Sequence, residues 1–462
     1  MHRSFPGSLA LILVLALVTA CGSPAPAAPT TAPAAPAATE AAPTSAPAAT
    51  AAVAAAAVAT AAIVAAVPTE GTLTQESPLP QVSPLGGATT PSGSAKIGDW
   101  SSPAPTKLPA NVTLGFVLGL TQDIAVYGQS QKNGVQLAVD QINAGGYLGK
   151  GKLVAAIENS TGTNEGAIAA MTKAIDDDKA VGVVGPTLSA QAFAADPIAK
   201  EKGIPVIGPS NTVAGIVEMG NFIFRDSLPE SSVIPGTVKQ VLSLLGVKKV
   251  GILWGNNDDF SVGGYKVFKQ ALQDNNVQIV DDETFARGDV DFQAQLTKII
   301  AKKPDAIVVS ALAKEGALII TQARSLGFTG PLVGGNGFNS PAVITQTGQA
   351  GEGLIVGAAW NIASSEPLSQ DFITAYQAAF KAAPDQFAVQ TYTAVWLFAT
   401  AIRRADSVDP KTIRDTLAGI KDFATPLGNF SFGPDRNPIH SPVAQIVRGG
   451  KFVVLTAETA KQ

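Results

Sequence analysis

Val181-Gly-Val-Val-Gly-Pro-Thr-Leu-Ser-Ala-Gln-Ala-Phe-Ala-Ala195 decides how the chain is read. The β-branched residues Val181, Val183 and Val184 predict a short buried strand. Gly185-Pro186 stops it, because neither strand nor helix continues through that pair. An Ala-rich helix follows, with Thr187 and Ser189 at its start and its end near Lys200. A strand end, a Gly-Pro turn and hydroxyls beside free helix-start N–H groups suit an anionic or carbonyl group. The pattern repeats at once: Ile204–Gly208 predicts a strand, and Pro209-Ser210-Asn211-Thr212 the loop after it. Two neighbouring strand ends carrying hydroxyls fit a small-molecule crevice in an open α/β sheet. They equally fit a pair of ordinary capped turns.

Working outward, the alternation of strand and helix persists. Val112–Leu118 predicts a strand, and Gly128–Asn143 a helix with Val135, Ala138, Val139 and Ile142 on one stripe. Lys152–Ile157, Phe222–Phe224, Val250–Trp254, Gln278–Thr284, Ala306–Ser310 and Pro331–Gly334 predict further strands. Helices are expected at Asn164–Asp177, Ile234–Leu245, Ser261–Gln273, Asp291–Ala301, Lys314–Leu326, Asp371–Lys381 and Ala388–Arg404. Another opens at Asp409-Pro410, an N-cap followed by proline at the first helical position. Val443–Arg448 and Phe452–Leu455 read as a closing hairpin around Gly449-Gly450. The fold class is therefore α/β: parallel sheets covered by helices on both faces, in two doubly wound lobes. A ligand belongs at the carboxyl ends of the strands, in the crevice between the lobes.

Composition narrows the chemistry. The 462 residues carry 32 basic and 36 acidic side chains, a formal charge of −4, with no basic excess of the kind nucleic acid demands. One cysteine excludes an internal disulfide, and His2 and His440 are the only histidines. No G-x-S-x-G, H-E-x-x-H or G-x-x-x-x-G-K-[ST] string is present, so no catalytic residue, cofactor or metal is assigned. Asp258-Asp259 and Asp281-Asp282-Glu283 lack the alternating spacing of a calcium loop and read as solvated turns.

The N-terminus reads as an export address. Arg3 precedes the apolar run Leu9–Val18, which matches a secretory h-region and is short for a bilayer span. Val18-Thr19-Ala20-Cys21 resembles a bacterial lipobox. Residues 1–20 are then a signal peptide and Cys21 the lipidated anchor, acylated more than once so that attachment is stable. Residues 21–109 read as an Ala/Pro/Thr-rich disordered spacer: between Gly22 and Asp99 the charged residues are Glu40, Glu70, Glu76, Lys96 and Asp99, and such a stretch lacks the apolar groups to offset its ordering entropy.

Several strings together resemble the branched-chain-amino-acid-binding family of type I periplasmic solute-binding proteins, the capture subunits of ABC importers. They include Tyr127-Gly128-Gln129, Asn133-Gly134-Val135-Gln136-Leu137-Ala138, Ile142-Asn143-Ala144-Gly145-Gly146, Val183-Val184-Gly185-Pro186, Gly288-Asp289-Val290-Asp291-Phe292, Pro304-Asp305-Ala306 and Gln322-Ala323-Arg324-Ser325-Leu326-Gly327. The resemblance implies two Rossmann-like lobes joined by a three-stranded hinge, one from residues 110–227 plus 359–430 and the other from 228–358 plus 431–457. It implies that Ser189, Ser210 and Thr212 hold a ligand carboxylate, that Tyr127 forms an aromatic wall, and that Phe260 and Leu312 line the second lobe's side. Asn336 stands where amino-acid binders of the family commonly carry an acid for the ligand ammonium. An amide supplies no charge there, so an amide, a urea-like solute or an apolar acid joins the amino acids as a candidate, unless Asp123, Asp258 or Glu315 compensates. The implied role is extracytoplasmic capture by a monomer on the outer face of the cell membrane, with delivery to an ABC permease. The alternative is a sensor of the same fold that reports to a membrane receptor; a secreted enzyme is a third reading with no motif behind it.

Overall fold

The computed structural model describes residues 96–462. The signal peptide, Cys21 and the spacer up to residue 95 lie outside them.

The first sheet is built from β1 (Asn111–Leu118), β2 (Lys152–Asn159), β3 (Val183–Val184), β4 (Val206–Gly208) and β5 (Ile223–Arg225). Its order is β2-β1-β3-β4-β5, with every pair parallel. Parallel neighbours require crossovers, and α1 (Ala125–Ala144), α2 (Asn164–Asp176) and α3 (Ser189–Glu201) supply them. After α4 (Glu230–Leu245) the same winding recurs in β6 (Lys249–Gly255), β7 (Gln278–Phe285), β8 (Ala306–Ser310), β9 (Leu332–Gly334) and β10 (Leu354–Ala358). Between them run α5 (Asp259–Asp274), α6 (Gln293–Ala301), α7 (Ala313–Ser325) and α8 (Pro341–Thr347). Both sheets thus show the doubly wound 2-1-3-4-5 order, whose crevice opens beside the first strand.

The chain then returns to the first sheet's side with α9 (Pro367–Phe380), α10 (Gln386–Ala405) and α11 (Pro410–Ala418). Helix α10 is buried on every face from Gln386 to Arg403 and packs along α1. A small sheet of β11 (Phe423–Thr425), β12 (Gly428–Phe432) and β13 (Pro438–Ile439) follows. The hairpin β14 (Val443–Arg448) and β15 (Lys451–Val454) finally extends the second sheet, β14 pairing antiparallel with β10. The expected crossing at 430/431 is displaced. Phe430 and Phe432 alternate inward from β12 and join the core beneath Phe224 of the first sheet, so the chain crosses only after β13.

One boundary of the spacer is also corrected. Residues 96–109, read as disordered, are laid onto the ends of α1 and α10. Ile97 is buried, and Trp100 meets Tyr147 edge-on at 4.8 Å. Asp99 pairs with Arg404 at 2.8 Å, and Arg403 donates to the Ser102 carbonyl. Asp406 accepts from the Thr106 and Lys107 amides. Two apolar anchors and the charged end of α10 order a stretch whose composition alone does not.

Among the described residues no helix is long and apolar enough to cross a membrane.

Candidate functional site

The site grows from the carboxyl ends of the parallel strands. Strand β3 is only two residues long because Gly185 turns the chain at φ 127°, where a Cβ would lie 2.3 Å from the Val117 carbonyl oxygen. Helix α3 begins at Ser189, with Leu188 as its N-cap and the Gln191 side chain accepting from the Leu188 amide at 3.2 Å. Ser189 is therefore a first-turn residue, not the cap. From the second sheet, the turns after β6, β8 and β9 bring in Phe260, Leu312 and Asn336. Asp258 caps α5 by accepting from the Ser261 amide at 2.9 Å, which fixes the neighbouring Phe260.

These pieces enclose one cavity, lined by Tyr127, Thr187, Leu188, Ser189, Ser210, Phe260, Leu312, Asn336, Gly337 and Phe387. Six of the seven ligand-binding residues expected from sequence meet there. Thr212, 2 % exposed, stands one step behind, its amide donating to Ser189 Oγ at 3.3 Å. The room left for water-sized spheres is about 20 Å³, enough for a water or two. Any larger solute enters only when the two sheets part.

The hydroxyls are not equivalent. Thr187 Oγ1 donates to Gln131 Oε1 at 2.7 Å and accepts from the Gly119 amide at 2.9 Å. Ser210 Oγ accepts from Gln131 Nε2 at 3.0 Å and donates to the Thr187 carbonyl at 2.6 Å. Both are engaged within the protein. Ser189 Oγ accepts from Thr212, but no described residue takes its proton. Thr212 Oγ1 has no partner of hydrogen-bond geometry. The hydroxyl left for a guest is that of Ser189; Thr212 Oγ1 is buried behind it, near Glu230.

Tyr127 bridges the two sheets. Its hydroxyl donates to the Gly337 carbonyl at 2.8 Å and accepts from the Ala313 amide at 2.7 Å, and its ring lies 4.6 Å from that of Phe387. Burial pushes the phenol far above its usual range. At the mouth, Arg287 forks onto Asp123, with Nη2 at 3.2 and 3.1 Å from the two carboxylate oxygens, and reaches the Gly162 carbonyl.

None of the three carboxylates considered as compensating for Asn336 lines the cavity. Asp123 holds Arg287, Asp258 is a cap, and Glu315 accepts from the Gly288 amide at 2.9 Å. The acid that stands by Asn336 is Glu230, missed from sequence: its Oε1 accepts from the Asn336 amide at 3.2 Å. Burial pushes Glu230 up to about 7, against the pull of that N–H, the nearby Thr212 hydroxyl and Arg225. Gln131 and Phe387 were also missed. Gln131 lies one turn beyond Tyr127 on the same face of α1, a spacing that signals proximity but not partner. Phe387 lies just ahead of the expected start of its helix. Among the described residues no group of three His, Cys, Asp or Glu is placed to hold a metal ion.

Known proteins share this fold. The sequence profile of the family described as periplasmic binding protein matches residues 111–451. A Leu/Ile/Val-binding protein of Rhizobium johnstonii is 28% identical over 329 residues, covering 70% of this chain and 88% of that one. Among solved structures, a branched-chain amino acid transporter substrate-binding protein of Streptococcus pneumoniae, in complex with isoleucine, superposes with a TM-score of 0.71 at 31% identity, covering 75% of this chain and 99% of that one. An ABC-transporter solute-binding protein of R. palustris, in complex with benzoate, gives 0.69 at 26% identity, covering 75% and 95%.

Proposed function

This chain belongs to the periplasmic binding protein family and is a solute-binding protein; on that premise we propose that it captures one small solute outside the cytoplasm and delivers it to an ABC permease. Val18–Cys21 supports anchoring at the outer face of the membrane through an acylated Cys21. The capturing lobes are residues 96–227 with 359–439, and 228–358 with 443–457. They hinge about the three crossings and close on the guest. Ser189 and the N-terminus of α3 receive its carboxylate or carbonyl, with Thr212 behind them. Tyr127, Phe260 and Leu312 wall its body, Asn336 meets its second polar group, and Ser210 braces the loop. The reading assigns no catalytic residue and no cofactor, and the chain works as a monomer.

The observation that carries this is one cavity at the carboxyl edges of both sheets, walled from each side and latched across by the Tyr127 hydroxyl. Its test is mass spectrometry of solute released from the purified protein, followed by a thermal-shift screen of amino acids, amides, ureas and small carboxylates. A ligand at about 100 Kd raises stability by about 2.7 kcal/mol. If nothing is released and nothing in the screen shifts the melt, the capture reading is wrong. Cys21→Ser is expected to move the protein from the membrane fraction to the soluble or unprocessed one; retention in the membrane fraction removes the anchor from the reading.

A further inference from the structure

Asn336 faces the cavity with a hydrogen-bond polarity that its neighbours dictate. The Ala359 amide donates to Gln386 Oε1 at 2.6 Å, which leaves Gln386 only its Nε2 to offer. That Nε2 donates to Asn336 Oδ1. The Asn336 backbone is engaged as well: its amide donates to Glu230, and its carbonyl accepts from the Asn339 amide. The one polar group of Asn336 that no described residue engages is its Nδ2, a donor. No acid is among the residues lining the cavity. Glu230 lies behind the Gly335–Asn336 turn with its Oε1 occupied, in surroundings that favour its neutral form.

An ammonium placed at this end meets a donor and no carboxylate. An ion stripped of water without a charge partner is strongly disfavoured. A carbonyl oxygen at the same place is welcomed, because Nδ2 donates to it. The Ser189 proton and the first turn of α3 border the same small cavity, and both favour a carboxylate beside that carbonyl. The rest of the lining is largely apolar, Tyr127, Leu188, Phe260, Leu312 and Phe387, and suits an apolar body.

We propose that the solute captured here is a small 2-oxo carboxylate with an apolar body, carrying an acceptor where an amino acid carries its ammonium. The proposal rests on the capture reading above and narrows it to a substrate class, with Asn336 as the residue that sets specificity.

The test compares two probes of one carbon skeleton, 4-methyl-2-oxopentanoate and leucine, by isothermal titration of the full chain. The oxo acid is expected to bind at least about tenfold more tightly, since a site built to donate to a group rejects the analogue that cannot accept. Asn336→Asp keeps an acceptor for Gln386 and replaces the donor with a carboxylate. With an unchanged melting temperature, it is expected to shift the preference toward leucine by a further factor of about ten or more. Equal or tighter binding of leucine by the unaltered chain overturns the proposal, as does an unchanged preference in a folded Asn336→Asp chain. If neither probe binds while mass spectrometry recovers some other solute, the substrate class is wrong and capture stands. If no solute is found at all, both fall.

Discussion

Ser189 and Ser210 look alike in the sequence and differ in where their protons go. Ser210 donates to the Thr187 carbonyl and holds Gln131; Ser189 has a proton to give. Ser210→Ala is therefore expected to lower stability by about 1–3 kcal/mol, because Gln131 Nε2 loses its buried acceptor, and a denaturant melt reads this. Ser189→Ala removes both the free proton and the acceptor of the buried Thr212 amide, so it is expected to weaken solute binding by roughly 1–3 kcal/mol and to lower stability by a similar amount; titration with the recovered solute that shows no loss of affinity excludes Ser189 from the site. Glu230 supplies a pH signature. Its carboxyl titrates near 7 in the fold and near 4.5 when free, so between those values the folded chain binds more protons than the unfolded one. Its contribution is present below about 4.5 and is lost as pH rises through about 7. Asp385, pushed up to about 6 by burial, acts in the same direction, and His440, pushed down to about 4, acts in the opposite one. Measured as the difference between wild type and Glu230→Gln, those two cancel, and the wild type's relative stability is expected to fall across that window. A flat difference means the carboxyl is not held neutral. The three hydroxyls were legible in the sequence; which of them keeps a free proton was not, and neither was Glu230. A serine's type predicts a hydroxyl near a loop, but not which neighbour takes its proton, and Glu230 lies ahead of the helix expected at Ile234–Leu245, whereas α4 in fact begins at Glu230 itself.

Helices α1 and α10 show what local pattern can and cannot carry. The 3.6-residue stripe on α1 was readable, and so were both sheets' strand rhythm and the closing hairpin, because each depends on period and turn chemistry alone. The start of α9 was missed because Pro367-Leu368-Ser369 reads as a turn, although proline fits the first helical turn. Strand β10 was missed because Leu354–Ala358 is a short apolar run that periodicity cannot assign. Strands β11–β13 are short and make sense only once Phe430 and Phe432 find Phe224. What period does not convey is how closely two helices approach. Gly134 of α1 faces α10 so tightly that a Cβ would lie 2.3 Å from the Ala388 carbonyl oxygen. Gly134→Ala gains helix propensity, yet it pushes the two helices apart. Overpacking of this kind is expected to destabilise the chain by about 1–3 kcal/mol. A melting temperature that rises instead identifies the approach as one the helices relax without strain.

At the scale of the whole molecule, the cavity is too small for any solute with the sheets in this arrangement, so binding requires an opening that the cross-cleft contacts resist. The contacts that span it include the buried Tyr127 hydroxyl on Gly337 and Ala313, the Gln386 amide on Asn336, and the Arg287 fork on Asp123. Tyr127 also walls the cavity, so changing it alters the site and the latch together. Arg287 is outside the cavity lining and tests the latch alone. The pair is partly exposed, and its closed-state contribution is about 1 kcal/mol. Losing it shifts the open–closed equilibrium by roughly fivefold, and where the closed form is the one that retains solute, affinity falls by at most that factor. Arg287→Ala is thus expected to keep the wild-type melt, to increase the radius of gyration of solute-free protein in X-ray scattering, and to weaken solute binding by up to about fivefold. Because salt screens an exposed pair over about 8 Å at physiological strength, raising the salt should bring the wild type toward the variant and leave the variant itself little changed. An unchanged radius with unchanged affinity means the ion pair decorates the mouth, and the buried contacts of Tyr127 and Gln386 hold the two sheets together.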